Sequence, residues 1–153
     1  MKFIVKILLL TAFLNSNVFA STMYMLTKLP KAYLVVENYS SKLNDDIKTE
    51  VLEVLNDAAT ELQIDTSGYS HRSLAFILYE TALEGKIVLN IELVLGEMVK
   101  RVDDENQVFA LTYQKRTQMS YENKSNDEIF ELTVEKTELL MQDFIEQYKE
   151  DNL

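Results

Sequence analysis

Two runs of alternating apolar residues on either side of an acidic turn constrain this chain more than any other feature. Leu89, Ile91, Leu93 and Leu95 alternate with Asn90, Glu92 and Val94, and beyond Asp103-Asp104-Glu105-Asn106 the residues Phe109, Leu111, Tyr113, Met119 and Tyr121 fall on one side of a second strand. A period of two predicts a long hairpin with one buried face. After Gly96, however, the apolar positions become Met98 and Val99, so the parity slips at a glycine. If Met98 pairs with Leu111, an unbroken ladder sets Leu95 against Gln114 and turns the two apolar faces to opposite sides. One extra residue near Gly96 instead pairs Leu95 with Tyr113, Ile91 with Thr117 and Leu89 with Met119, which predicts a β-bulge at Gly96, glycine being favoured where such a bulge needs positive φ. The same register puts Arg116 opposite Glu92 as a cross-strand ion pair on the outer sheet face.

The flanking segments supply the rest of a fold. Ala32 to Asn38 is β-rich and predicts a first strand. Ile47, Val51, Val54, Leu55, Ala58 and Leu62 recur at helical spacing, which predicts a helix over about 45–63, with Asn44 or Asp45 available to cap it. Leu74, Phe76 and Leu78 alternate with Ala75, Ile77 and Tyr79 in a second strand, and Glu84-Gly85-Lys86 turns the chain. Ser125-x-x-Glu128 is a capping box opening a last helix to about Lys149, with Ile129, Thr133, Thr137, Leu140, Phe144 and Tyr148 in its buried stripe. The expected fold is α+β, a four-stranded antiparallel sheet in β-α-β-β-β-α order with both amphipathic helices packed on one face. With one proline and three glycines in 153 residues, no linker or second domain is expected within 32–153.

The N-terminus carries an address. Lys2 and Lys6 precede an apolar run from Ile7 to Leu14, and Val18-Phe19-Ala20 offers small or β-branched residues where a signal peptidase requires them. The run is far short of the roughly 20 residues that span a bilayer, so residues 1–20 read as a signal peptide cleaved between Ala20 and Ser21, followed by a leader over 21–31. A periplasmic or secreted product without stable membrane insertion is expected. Cleavage removes two lysines and no acid, lowering the formal net charge from −10 to −12. Such a charge disfavours nucleic acid and anionic lipid as partners. With no cysteine, lipid attachment at a lipobox and stabilisation by disulfides are both excluded.

Chemistry is sparse. His71 is the single histidine and stands beside Ser70 and Tyr69; adjacency in sequence does not make a triad, which needs an orienting acid and a nucleophile brought together in space. The acids of Asp103-Asp104-Glu105 lack the spacing and glycine of a calcium loop, and those of the last helix read as a solvated face. No catalytic residue, metal ligand or cofactor is expected. Eight tyrosines are more than a small core needs, and tyrosine favours interfaces because it combines apolar area with a polar tip.

The element order resembles small α+β domains of the bacterial envelope, including the lipopolysaccharide-assembly lipoprotein of the outer membrane, although the lipobox cysteine is missing. The expected function is that of a non-enzymatic protein-binding or assembly module whose partner is another envelope protein. Its contact would be the outer sheet face or an edge strand, with Tyr33, Tyr79, Val94 and Val99 as interface residues. A carrier holding a small apolar ligand between helices and sheet is the alternative, and an unrecognised hydrolase a second.

Overall fold

The computed structural model describes Leu26 and residues 28–153; the cleavage site between Ala20 and Ser21 lies outside the described residues. The element order is β1 (Tyr33–Asn38), α1 (Asp46–Glu61), β2 (Arg72–Leu83), β3 (Lys86–Lys100), β4 (Gln107–Ser120) and α2 (Asn126–Asp151). The four strands form one sheet in the spatial order β1-β2-β3-β4, and the α+β class and element order are those expected from the sequence.

The sheet is mixed rather than wholly antiparallel, which corrects the expected pairing. β1 runs parallel to β2, from Tyr33 opposite Ser73 to Asn38 opposite Leu78. The cause is the helix between them: a chain that leaves β1, climbs back along α1 and re-enters the sheet does so in the original direction, whereas a tight hairpin reverses it. β2 and β3 are such a hairpin, closed by Glu84 and Gly85 at φ 50° and 80°, the two positive angles a type I′ turn requires.

Between β3 and β4 the register shifts, and it does so between Leu95 and Gly96. Leu95 pairs with Tyr113, Ile91 with Thr117 and Leu89 with Met119, as the apolar parity predicts. The turn end differs from expectation. Met98 pairs with Phe109 and Gly96 with Leu111, so the extra residue is Thr112 on β4 rather than a residue of β3. Thr112 donates its hydroxyl hydrogen to Glu97 Oε2 at 2.6 Å, and Glu97 is in turn held by Arg72 at 2.6 Å. Gly96 is not in the left-handed region, which among glycines is occupied by Gly68 and Gly85. Its lack of a side chain serves the Phe109 ring, since a Cβ added there would lie 2.2 Å from Phe109 Cζ.

The core lies between the helices and one sheet face. Leu74, Phe76 and Leu78 of β2, Leu89, Ile91, Leu93 and Leu95 of β3, and Tyr113 and Met119 of β4 meet Ile47, Val51 and Leu55 of α1 and Ile129, Leu140, Met141 and Phe144 of α2. The Tyr113 and Phe144 rings pack edge to face at 5.2 Å. Thr133 and Thr137, fully buried in α2, donate back to the carbonyls of Ile129 and Thr133 and so leave no bare hydroxyl in the core. Ser125 caps α2 as its sequence predicts: its Oγ accepts from the Glu128 amide at 3.2 Å while its own amide donates to Glu128 Oε2 at 2.7 Å. The described part of the expected leader belongs to the fold. Leu26 and Leu29 are buried, their amides donating to Asp151 Oδ2 and the Tyr148 hydroxyl at the end of α2.

Candidate functional site

The outer face of the sheet, away from both helices, divides into a polar end and an apolar end. At the polar end the pairs Tyr79–Asn90 and Asn90–Gln118 lie across three strands. Asn90 is fully buried, donating to the Tyr79 carbonyl and the Thr81 hydroxyl and accepting from Gln118 Nε2 at 2.7 Å. Next to it Glu92 accepts from Gln114 Nε2. Arg116 stands opposite Glu92 in the register, but its guanidinium donates to the Tyr79 hydroxyl at 3.4 Å. The expected ion pair is therefore replaced by a hydrogen-bonded ladder. The Tyr79 bond is the main cause, ahead of the Glu92 charge, of an Arg116 pKa above its usual value.

The apolar end is built by one register row. Tyr33 pairs with Ser73, Ser73 with Gly96, and Gly96 with Leu111, so two small residues on the inner strands sit between large ones at the edges. The Thr112 bulge makes this possible. Because Thr112 is the unpaired residue, Tyr113 turns inward while Leu111 and Phe109 share the outer face with Gly96 and Met98. This corrects the expectation that Phe109 and Leu111 join Tyr113 on the buried face. Phe109 is 58% exposed, Leu111 52%, Tyr33 54% and Met98 41%. Tyr33, Tyr69, Ser70, His71, Ser73, Met98 and Phe109 line a shallow cleft of about 180 Å³. One wall is the loop before β2, where the Tyr69 and His71 rings meet edge-on at 5.2 Å and the His71 carbonyl accepts from the Met98 amide.

Of the four expected interface residues, Tyr33 lines this cleft. Tyr79 lies at the polar end of the same face, tied to Arg116. Val94 is on that face but only 5% exposed, paired with Ala75 and Gln114. Val99 alternates onto the helix side, opposite Val108. Phe109, Met98 and Tyr69 join the cleft without having been expected there from the sequence. For Phe109 the signal was the short turn: the Arg101 amide bonds to the Asn106 carbonyl, a closure that forces Met98 onto Phe109.

The serine beside His71 is already committed. Ser70 Oγ donates to the Lys31 carbonyl, not to His71, and accepts from the Arg72 amide. The cleft lining contains no carboxylate to orient the imidazole. Between helices and sheet, where an apolar ligand was the alternative, Phe76, Leu78, Ile91, Leu93 and Phe144 are fully buried, and a ligand there would have to displace them. A second cleft of about 460 Å³ lies on the outside of the helix layer, with Val54, Ala58, Met141 and Ile145 as its apolar members and Asp57, Glu61, Glu138 and Glu146 among its acids. Among the described residues no group of three or more histidines, cysteines or acids is placed to hold a metal ion, and no helix is long and apolar enough to cross a membrane.

No protein-family model matches the chain, and no curated protein is similar to it. Solved structures similar in part include an uncharacterized protein at 8% identity, with 81% of this chain and 95% of that one covered and a TM-score of 0.43. A minor lipoprotein from Acinetobacter baumannii follows at 14% identity, 79% and 91% coverage and a TM-score of 0.36. The rare lipoprotein B from Shewanella oneidensis gives 11% identity, 76% and 91% coverage and a TM-score of 0.37. Likenesses this distant carry no argument about what the chain does.

Proposed function

We propose that this chain is an exported, non-enzymatic module of the cell envelope that binds another protein through the apolar end of its outer sheet face. The observation that carries the reading is the cluster of Tyr33, Tyr69, Met98, Phe109 and Leu111, each between 41% and 79% exposed, on a domain whose core is otherwise closed. Contiguous exposed aromatic surface of this kind marks binding sites on soluble proteins, and tyrosine, phenylalanine and methionine are the residues enriched at interface centres. The rigid sheet beneath keeps the cleft preformed, which lowers the cost of association. Export is supported by the Met1–Ala20 pattern of two lysines, an apolar run and a Val-x-Ala site.

The test is affinity capture from native envelope extract, comparing the wild-type protein with Tyr33→Asp and Met98→Asp. A carboxylate placed in the cleft must be desolvated on binding, so both variants lose the captured partner while keeping wild-type circular dichroism. His71→Gln, which keeps a polar side chain of similar size and removes the imidazole, retains it. Capture that survives both aspartate variants, or that is abolished by His71→Gln alone, would overturn the reading.

A further inference from the structure

We infer that β4 is a self-pairing edge, through which two copies of the chain join antiparallel into one continuous eight-stranded sheet. β4 is the last strand in the sheet order, so one side of its backbone has no neighbour among the described strands. Which groups point out follows from the turn. The Arg101 amide bonds to the Asn106 carbonyl, and hydrogen-bonded and non-bonded pairs alternate along an antiparallel ladder. Val108 and Ala110, opposite Val99 and Glu97, are therefore the bonded positions toward β3. The Met98 amide donates the other way, to His71 on the β2 side, which fixes the same phase. The amides and carbonyls of Gln107, Phe109 and Leu111 consequently face outward, where they can pair with a strand alongside.

Natural edge strands are protected by charges, proline, bulges or a covering element. Gln107-Val108-Phe109-Ala110-Leu111 has no charge and no proline, and its bulge comes only afterwards, at Thr112. Phe109 and Leu111 are more than half exposed. These features make the segment a pairing site.

Charge identifies the occupant as a second copy. In a chain of net charge −10, the fourteen residues of β4 contain Lys115 and Arg116 and no acid, while the acids Asp103, Asp104 and Glu105 stand in the turn just before the strand. An antiparallel neighbour with the same sequence inverts this order. Centred on Phe109, the pairing sets Phe109 against Phe109 of the second copy and Gln107 against Leu111, using all three outward-facing residues. It carries the acidic turn of each copy alongside Lys115 and Arg116 of the other, twice by symmetry. Within one copy Lys115 is paired with Asp143, Asp104 with Arg101 and Glu105 with Lys100, exposed pairs of little worth that the charges of the second copy can exchange with. Only the backbone of Phe109 is consumed. Its ring stays on the outer face, where the two aromatic clefts then adjoin across the two-fold axis.

Sedimentation velocity over a dilution series of the purified protein, with two substitutions at Phe109, tests this. The wild type should show a monomer–dimer equilibrium. Phe109→Lys sets two lysines against each other at the axis and should weaken it by about tenfold, since like charges directly opposite one another across a strand pair are destabilising, with unchanged circular dichroism. Because the chain has no cysteine, Phe109→Cys reports position unambiguously: it should cross-link into a covalent dimer with a short bismaleimide, while Tyr69→Cys should not. Tyr33→Asp, on β1 at the opposite edge of the sheet, should leave the dimer intact, so failure of the dimer and failure of the proposed binding face are separable. A monomer at every concentration, a dimer insensitive to Phe109→Lys with no Phe109→Cys cross-link, or an edge occupied only by a strand of a different protein would each overturn the inference.

Discussion

Gly96→Ala separates two reasons for a glycine in the middle of a long strand. Were the backbone in the left-handed region, alanine would be strained; Gly96 lies outside that region, and the obstacle is the Phe109 ring. The new Cβ would sit 2.2 Å from Phe109 Cζ and 2.6 Å from Cε1, whereas non-bonded carbons rest at about 3.5–4 Å, so the ring tip must retreat by more than about 1 Å. It can do so, because the ring stands at the surface. Uncovering about 40 Å² of ring at about 25 cal/mol per Å² costs about 1 kcal/mol. Replacing a strand glycine by alanine recovers about 0.5–1 kcal/mol. The expected net loss is at most about 0.5 kcal/mol, and in a Phe109→Ala background the same change should become stabilising by about 0.5–1 kcal/mol. Urea melts of the four proteins in this double-mutant cycle should give a coupling of about 1 kcal/mol. A loss above about 2 kcal/mol in both backgrounds would refute the reasoning and place the constraint in the backbone.

Two further outcomes follow from the geometry. Ser125→Ala removes the hydroxyl that receives the Glu128 amide at the start of α2, and urea melts should show a loss of about 1 kcal/mol. Burial, followed by the Asp143 charge, pushes the Tyr113 phenol up to about 12 from 10.0. A folded value above the unfolded one contributes stability that is intact below pH 10 and declines as the pH rises toward 12; Tyr113→Phe should flatten that part of the alkaline decline measured by denaturant midpoint.

How much of this was legible in the sequence depended on whether the signal was local. The helices declared themselves because Ile47, Val51, Leu55 and Ala58 fall on one stripe, and Ser125 with Glu128 is a complete cap within four residues. The three core pairs of β3 and β4 could be read because burying Leu89, Ile91 and Leu95 admits only one parity. The side of the bulge could not. Phe109, Leu111, Tyr113, Met119 and Tyr121 are all odd-numbered, and periodicity cannot tell an unbroken face from one inverted at Thr112; the Arg101–Asn106 closure decides it. The parallel β1–β2 pair was hidden for a related reason, since strand direction is set by where α1 returns the chain. The cleft inherits both: its members come from all four strands and the loop before β2, and meet only once those registers are fixed.

The most direct measurement of the binding face is site-specific photo-cross-linking in intact cells, with a photoreactive phenylalanine analogue placed in turn at Tyr33, Tyr69 and Leu139. Leu139 lies on α2 and is 53% exposed, as accessible as Tyr33 at 54%, while facing away from the outer sheet face. Adducts to another protein from Tyr33 and Tyr69, and none from Leu139, are the predicted result. Adducts from Leu139 with none from Tyr33 or Tyr69 would contradict the assignment and move the contact to the helix layer.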